Sequence, residues 1–309
     1  MSGETATNGE IAGHGGVIHD LGYQYYEGPR LGRAAIIRAL QWHSLRSAFG
    51  IGRGVRAKIV PVLTFAIMCL PAVANAISAA RGGGRIVPYD TYLFRLRGLV
   101  MVIFVAAQAP ELVSRDLRSH VLPLYFCRPM RRLDYPLAKL AAFTVACLAL
   151  VEIPLLLLYL GTIVSAGGGA AIWNQTKALI PGLLIGVAWA VLFAAIGLAL
   201  ASLTGRRAYA TGAIAIYFFL SWSLASILIG VTGGRPGPAG AAAPLASRLA
   251  GLVSPPTVLE GVRQWLGGTS VSPVPRPGSV GVLYGVMFLV LLGASLGGLA
   301  ARYRKAGLS

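Results

Sequence analysis

The stretch LIPGLLIGVAWAVLFAAIGLALASL, residues 179–203, contains no charged side chain. A helix rises about 1.5 Å per residue, so about 20 apolar residues cross a hydrocarbon core about 30 Å thick. This stretch predicts a membrane-spanning helix, and the chain repeats the pattern. Residues 59–80, 140–164, 209–231 and 280–301 meet the same test. Residues 98–113 form a shorter candidate that contains Gln108 and Pro110. It reaches spanning length if its helix begins near Tyr89, with Arg95 and Arg97 snorkelling to the surface. The predicted fold is an all-α membrane domain of six transmembrane helices, residues 59–302.

Composition agrees. Of 309 residues, 56% are apolar and 12% are charged, about half the charged share of a soluble domain. The formal net charge is +17, from 27 Lys and Arg against 10 Asp and Glu. Such a chain suits nucleic acid or an anionic membrane surface. Its arginines flank apolar runs and no nucleic-acid module is present, so membrane lipid is the expected partner and nucleic acid is not. Basic residues near the span ends also report orientation. One side collects 18 of them and the other 9. The richer side, with both termini and the tail 303–309, is expected to be cytoplasmic. The expected location is a bacterial cytoplasmic membrane, with multiple passes and no cleavable signal peptide.

Outside the spans, residues 1–29 read as a polar cytoplasmic tail. Residues 30–58 read as an N-terminal interfacial amphipathic helix. Within it Ile36, Ile37, Leu40, Trp42 and Leu45 alternate with Arg33, Arg38 and Arg46 at helical steps. The apolar side is expected in the acyl boundary and the Arg side among lipid phosphates; a cytosolic helix packed on the membrane domain is the plainer alternative. The outer loop 232–279 is rich in Pro, Gly and Ala over 233–242. It then predicts two short helices, 244–252 and 256–266, divided at Pro255-Pro256. In the second, Val258, Val262 and Leu266 are expected to face apolar surroundings, and Glu260 and Arg263 water. This is the helical break before the last span.

Chemistry-bearing motifs are few. A phosphate-cradling loop needs Gly immediately before its Lys. Lys58, Lys139, Lys177 and Lys305 follow Ala57, Ala138, Thr176 and Arg304. The chain is therefore expected to be no enzyme and to hold no cofactor of its own. Cys69, Cys127 and Cys147 and four scattered His lack metal-ligand spacing, so no metal site is expected.

The most informative segment is APELVSRDLRSHVLPLYFCRPMRRLDYPLAKLAA, residues 109–142. It leaves the second span at Glu111, carries Arg115, Asp116 and Arg118, crosses an apolar patch at 121–126 and rejoins the membrane after Tyr135 and Lys139. An apolar patch ringed by Arg suits docking of a soluble partner, and an interfacial elbow fits equally well on physical grounds.

This segment resembles the first cytoplasmic loop of permeases in the type-2 ABC exporter superfamily, actinobacterial branch. The resemblance rests on Glu111, the SRDLR run of 114–118, Pro123 to Tyr125, Arg128-Pro129, Asp134-Tyr135 and Lys139. HDLGYQYYEGPRLGR at 19–33 and the order of parts along the chain add to it. It implies a permease subunit, a second permease copy and a separate ABC ATPase subunit that binds ATP and Mg. Loop 111–139 would be the ATPase-coupling element, with Glu111, Arg115, Asp116, Arg118 and Arg128 as its residues. The expectation is that reversing the charge of Asp116 or Arg118 uncouples the complex without unfolding it. Phe104, Gln108, Tyr217, Phe218 and Trp222 are candidates for the path of an amphipathic or hydrophobic substrate; packing or lipid contact is their plainer role.

Two features remain. Glu152, an acid inside the third span, reads either as a proton relay or as a packed, neutralised group near Pro154. The relay would make the chain a proton-coupled secondary transporter; a non-transporting scaffold is the other rival. Gly281, Gly285, Gly293 and Gly297 share a face of the last span, and Gly182 and Gly186 repeat the device in the fourth, which predicts close helix packing.

Overall fold

The computed structural model describes residues 28, 31–81, 97–119, 122–127, 130–164, 168–233, 243–267 and 274–305. The chain divides into two units, Met1–Leu31 and Gly32–Ser309, and the architecture below belongs to the second. Much of the predicted polar tail, the HDLGYQYYEGPRLGR motif, a helix start near Tyr89, Arg95, Arg128 and the stretch 234–242 lie outside the described residues.

Eleven α-helices follow one another among those residues, with no strand. They are α1 (Arg33–Ala48), α2 (Val55–Ala80), α3 (Arg97–Leu112), α4 (Ser114–Arg118), α5 (Leu122–Phe126), α6 (Asp134–Val164), α7 (Gly169–Ala201), α8 (Arg207–Gly233), α9 (Leu245–Ala250), α10 (Pro255–Trp265) and α11 (Gly281–Lys305). Six stretches are long and apolar enough to cross a membrane: Val55–Asn75, Gly98–Arg118, Asp134–Val164, Gly169–Ala201, Arg207–Gly233 and Gly278–Arg304. This is a multi-pass, all-helical membrane protein.

Several helices outrun the apolar stretches that announced them. α2 begins at Val55, four residues before Ile59, because Arg56 and Lys58 sit on its first exposed turn. α6 starts at Asp134 and α7 at Gly169, each adding polar turns that a hydropathy test passes over. Prolines inside the spans (Pro61, Pro71, Pro110, Pro154 and Pro181) do not end them. In an apolar medium a helix keeps its remaining hydrogen bonds, and neighbouring helices absorb the kink.

The second span has the lowest mean hydropathy of the six, 1.4, yet it is the most enclosed, 72% buried against 17% for the fifth and sixth. α3 touches α1, α2, α6, α7 and α8. A helix that faces protein rather than lipid needs less grease, which explains why Gln108, Pro110 and Glu111 are tolerated there. Phe104 stacks on Phe143 at 6.0 Å, and Met101, Val105 and Ala109 are fully buried around it. A Cβ at Gly197 of α7 would overlap the side chain of Val105, so that glycine sets how closely α7 approaches α3.

α1 corrects the interfacial expectation in part. Its Leu40, Ser44 and Ala48 are buried, with Ile37 and Leu45 beside them, against α6 and α3. The apolar side therefore packs on protein, and Arg38, Trp42 and Arg46 point outward along the opposite stripe. Gly50, at φ 69°, turns the chain from α1 into α2. A Cβ there would meet the Ala57 carbonyl oxygen at 2.7 Å, so backbone approach and conformation both demand glycine.

Within residues 232–279, α9, a 3-10 turn at Gly251–Val253 and α10 form a cap at one end of the bundle. Pro255 and Pro256 open α10 instead of merely breaking the chain, since a first-turn proline has no hydrogen bond to lose. Thr257 Oγ1 donates to the carbonyls of Gly251 and Ser254 at 2.6 and 2.8 Å. Val258 and Val262 face the packed interior as expected, but the placing of Glu260 and Arg263 toward water is corrected. Glu260 is 1% exposed and Leu266 is 73% exposed. Glu260 accepts from Arg263 Nε and Nη2 at 2.9 and 2.7 Å and from Gln264 Nε2 at 2.9 Å. With those donors one turn away, the carboxylate can be buried and its helix can turn the charged face inward.

Candidate functional site

Four joints gather at the opposite end of the bundle, where α3 ends and α6 and α8 begin. Glu111 closes the second span and is bridged by Arg53, from the α1–α2 turn, and by Arg207, which opens α8. Its two carboxylate oxygens take one guanidinium each. Asp134, opening α6, accepts from Arg33 Nε at 2.7 Å, forms a second contact with Arg33 Nη2 at 2.5 Å, and accepts from the Arg131 backbone N–H at 2.8 Å. This pairing raises the Arg33 guanidinium above its already high ordinary value, so it stays cationic.

Asp116 makes the third joint. It lies on α4, where its Oδ2 accepts from the Tyr135 hydroxyl at 2.6 Å and sits 2.9 Å from Lys139 Nζ. Both partners are on α6 and both are buried. Tyr135 in turn packs between Tyr125 of α5 and Tyr303 of α11, each at 5.3 Å between ring centroids. The fourth joint is made with backbone: Ser114 Oγ donates to the Ala201 carbonyl at 2.9 Å, and Arg302 Nε donates to that of Ser202 at 3.2 Å. Each ties a second element to the end of α7.

Upon this base stands an exposed tip. Arg115 and Arg118 on α4, Pro123 and Leu124 on α5, then Arg131, are exposed; Leu124 is 69% so. Beside it a broad recess of about 1260 Å³ is lined by Leu117, Arg118, Arg206, Arg207, Ala208 and Thr211. The predicted loop residues thus separate. Glu111 and Asp116 are internal struts, and Arg115 and Arg118 face outward. The expectation that Asp116 could be reversed without structural harm is corrected, because its carboxylate compensates a buried Lys139.

The path candidates scatter too. Phe104 and Phe218 are fully buried packing groups; Phe218 stacks on Phe193 at 4.6 Å and Phe193 on Trp189 at 4.9 Å. Tyr217 meets Phe218 edge-on, and Trp222 lies on the exposed flank of α8. Gln108 is the one of the five that lines a recess described here, beside Arg53, Arg56, Glu111 and Arg207.

The glycines divide as well. Gly182 and Gly186 are buried. A Cβ at Gly186 would overlap the Glu152 carboxylate of α6, so this glycine makes room for that acid. Because the carboxyl is the mobile end of a flexible side chain, Gly186→Ala is expected to cost no more than about 1.5 kcal/mol in thermal unfolding. Gly281 lies hard against the Trp265 ring, and Gly285 makes ordinary contact with it, whereas Gly293 and Gly297 face open space within the chain.

No protein-family model matches the chain, and no curated protein matches it.

Proposed function

We propose that this chain is the permease subunit of an ATP-driven exporter of the type-2 ABC kind, worked by an ATPase on a separate polypeptide that binds ATP and Mg. The charged end of the bundle then faces the cytoplasm, as the richer basic side would, in a bacterial inner membrane. The reading draws on the motif of residues 109–142 and on the lack of a Gly-Lys phosphate loop.

One observation carries it: the exposed α4–α5 tip is braced against α6 and the end of α7 by buried or half-buried joints, and Tyr135 of α6 in turn packs on Tyr303 of α11. A load on Arg118 would pass through the Asp116 and Ser114 joints to the ends of α6 and α7, and one on Leu124 through the Tyr125–Tyr135 contact to α6. That is the mechanical requirement for a subunit driven from outside itself. ATP binding by the partner would press on this tip, and the joined helices would shift together. A second copy of the chain would complete the conduit along the lipid-facing flanks of α2, α8 or α11. The cargo would be amphipathic or hydrophobic.

The test begins with co-purification in mild detergent. Leu124→Asp and Arg118→Glu are each expected to reduce the co-purified ATPase about tenfold, a loss of about 1.4 kcal/mol, with the thermal midpoint of the permease unchanged. ATP hydrolysis by the purified chain alone would overturn the proposal. So would solute transport by that chain on an ion gradient, which is the outcome the Glu152 relay requires.

A further inference from the structure

We propose that the recess between the start of α2, the end of α3 and the start of α8 is a binding site for a phosphate group, carried by an anionic lipid or free in solution. It holds about 370 Å³ and is lined by Arg53, Arg56, Gln108, Glu111 and Arg207, with Val60 on its apolar wall. This goes beyond the exporter reading and does not depend on it.

Charge comes first. Three guanidiniums face one carboxylate, and that carboxylate is already shared by Arg53 and Arg207. Arg56 has no carboxylate partner among the described residues. The site therefore carries a positive surplus that an anion would neutralise, and planar guanidinium forks match phosphate oxygens.

Gln108 supplies the second, independent observation. Its side chain is 4% exposed and lines the recess, yet it forms no hydrogen bond among the described residues. Its amide is open to the recess and therefore free to meet whatever occupies it. Its NH₂ can donate to an anion held by Arg56. Gly54, Arg56 and Ala57, where α2 opens, line the same wall, and the start of a helix favours an anion.

Depth then selects the class of anion. The wall runs from Arg53 to Val60, across the point where α2 passes from polar to apolar. Ile59 and Leu63, one turn on from Arg56 and Val60, continue along the adjoining flank of α2 as exposed apolar surface. A headgroup phosphate in the recess would leave its acyl chains on that surface, at the level where lipid phosphates lie.

The test uses the full chain, delipidated in detergent. It is titrated with phosphatidylglycerol, with phosphatidylcholine (whose phosphate is balanced by its own choline) and with inorganic phosphate; thermal midpoint and lipid retained in native mass spectrometry are read. Phosphatidylglycerol is expected to bind saturably and phosphatidylcholine at least about fivefold more weakly. Arg56→Gln and Gln108→Leu should each weaken phosphatidylglycerol about fivefold, and Arg38→Gln, on the outward stripe of α1, should not. Inorganic phosphate that competes with the lipid identifies the headgroup as the natural occupant; inorganic phosphate that binds while the lipid does not identifies a soluble one. Both support the site. Equal phosphatidylglycerol affinity in wild type and Arg56→Gln would overturn it, as would equal weakening by Arg56→Gln and Arg38→Gln, or equal binding of the two lipids.

Discussion

Asp116→Lys should collapse the charged end of the bundle, lowering unfolding free energy by about 3–5 kcal/mol and turning a monodisperse detergent preparation into an aggregating one. The substitution removes the acceptor of the Tyr135 hydroxyl and sets a second ammonium beside Lys139, whose side chain is 5% exposed. A buried cation can neither move into water nor find another acid there: Glu111 and Asp134 hold arginines of their own. The reciprocal exchange, Asp116→Lys with Lys139→Asp, should recover more than half of the lost stability, because the pair is rebuilt with its polarity reversed. Thermal denaturation with size-exclusion chromatography on wild type, both single variants and the double variant measures the coupling. Additive losses would show that Asp116 and Lys139 do not act as a unit. Arg118→Glu, two residues away and exposed, is the internal control and should leave the midpoint unmoved.

The second large effect is expected at the far end. Gly261→Val should dislodge the α9–α10 cap and cost about 3 kcal/mol. The Tyr284 ring of α11 lies against Gly261 so closely that a Cβ would overlap its Cδ1, Cε1 and Cγ, and a Cβ at Gly251 would strike its hydroxyl. That hydroxyl donates to the Arg248 carbonyl at 2.5 Å. The ring body is rigid and its tip is anchored, so the strain has no cheap release, unlike that at Gly186. Limited proteolysis between α8 and α11, together with the thermal midpoint, reads the cap. Adding Tyr284→Ala to Gly261→Val should restore part of the loss by making space, whereas Tyr284→Ala alone should destabilise by leaving a cavity. A Gly261→Val chain as stable and as protease-resistant as wild type would refute this account of how the cap is held.

The two effects arise from different physics, and this bears on how far each could be foreseen. Lys139 and Asp116 were both conspicuous in residues 109–142, and spacing alone could not say whether they met each other or a partner protein. The glycines of the last span were conspicuous too. Of the four, Gly281 alone meets a ring closely enough to exclude a side chain, while the glycines that Tyr284 requires, Gly251 and Gly261, lie in the two short predicted helices of residues 244–252 and 256–266, where nothing in the sequence marks them as contacts of the last span. Glu260 was placed toward water because an acid on a short amphipathic helix is most simply solvated; Arg263 and Gln264 on the same helix reverse that balance. Nothing local predicted Arg53 and Arg207 as the partners of Glu111, since they are 58 and 96 residues away in a chain with 27 basic residues.

Six spans and the gathering of basic segments at one end follow from local sequence, because crossing hydrocarbon is a test each segment passes or fails by its own length and grease. Which helix lies at the centre, which acid meets which arginine, and which glycine admits a ring are decided by the tertiary structure. In a bilayer every apolar helix is equally content with lipid, so packing shape and the pairing of a few buried charges must choose among arrangements that hydropathy leaves level.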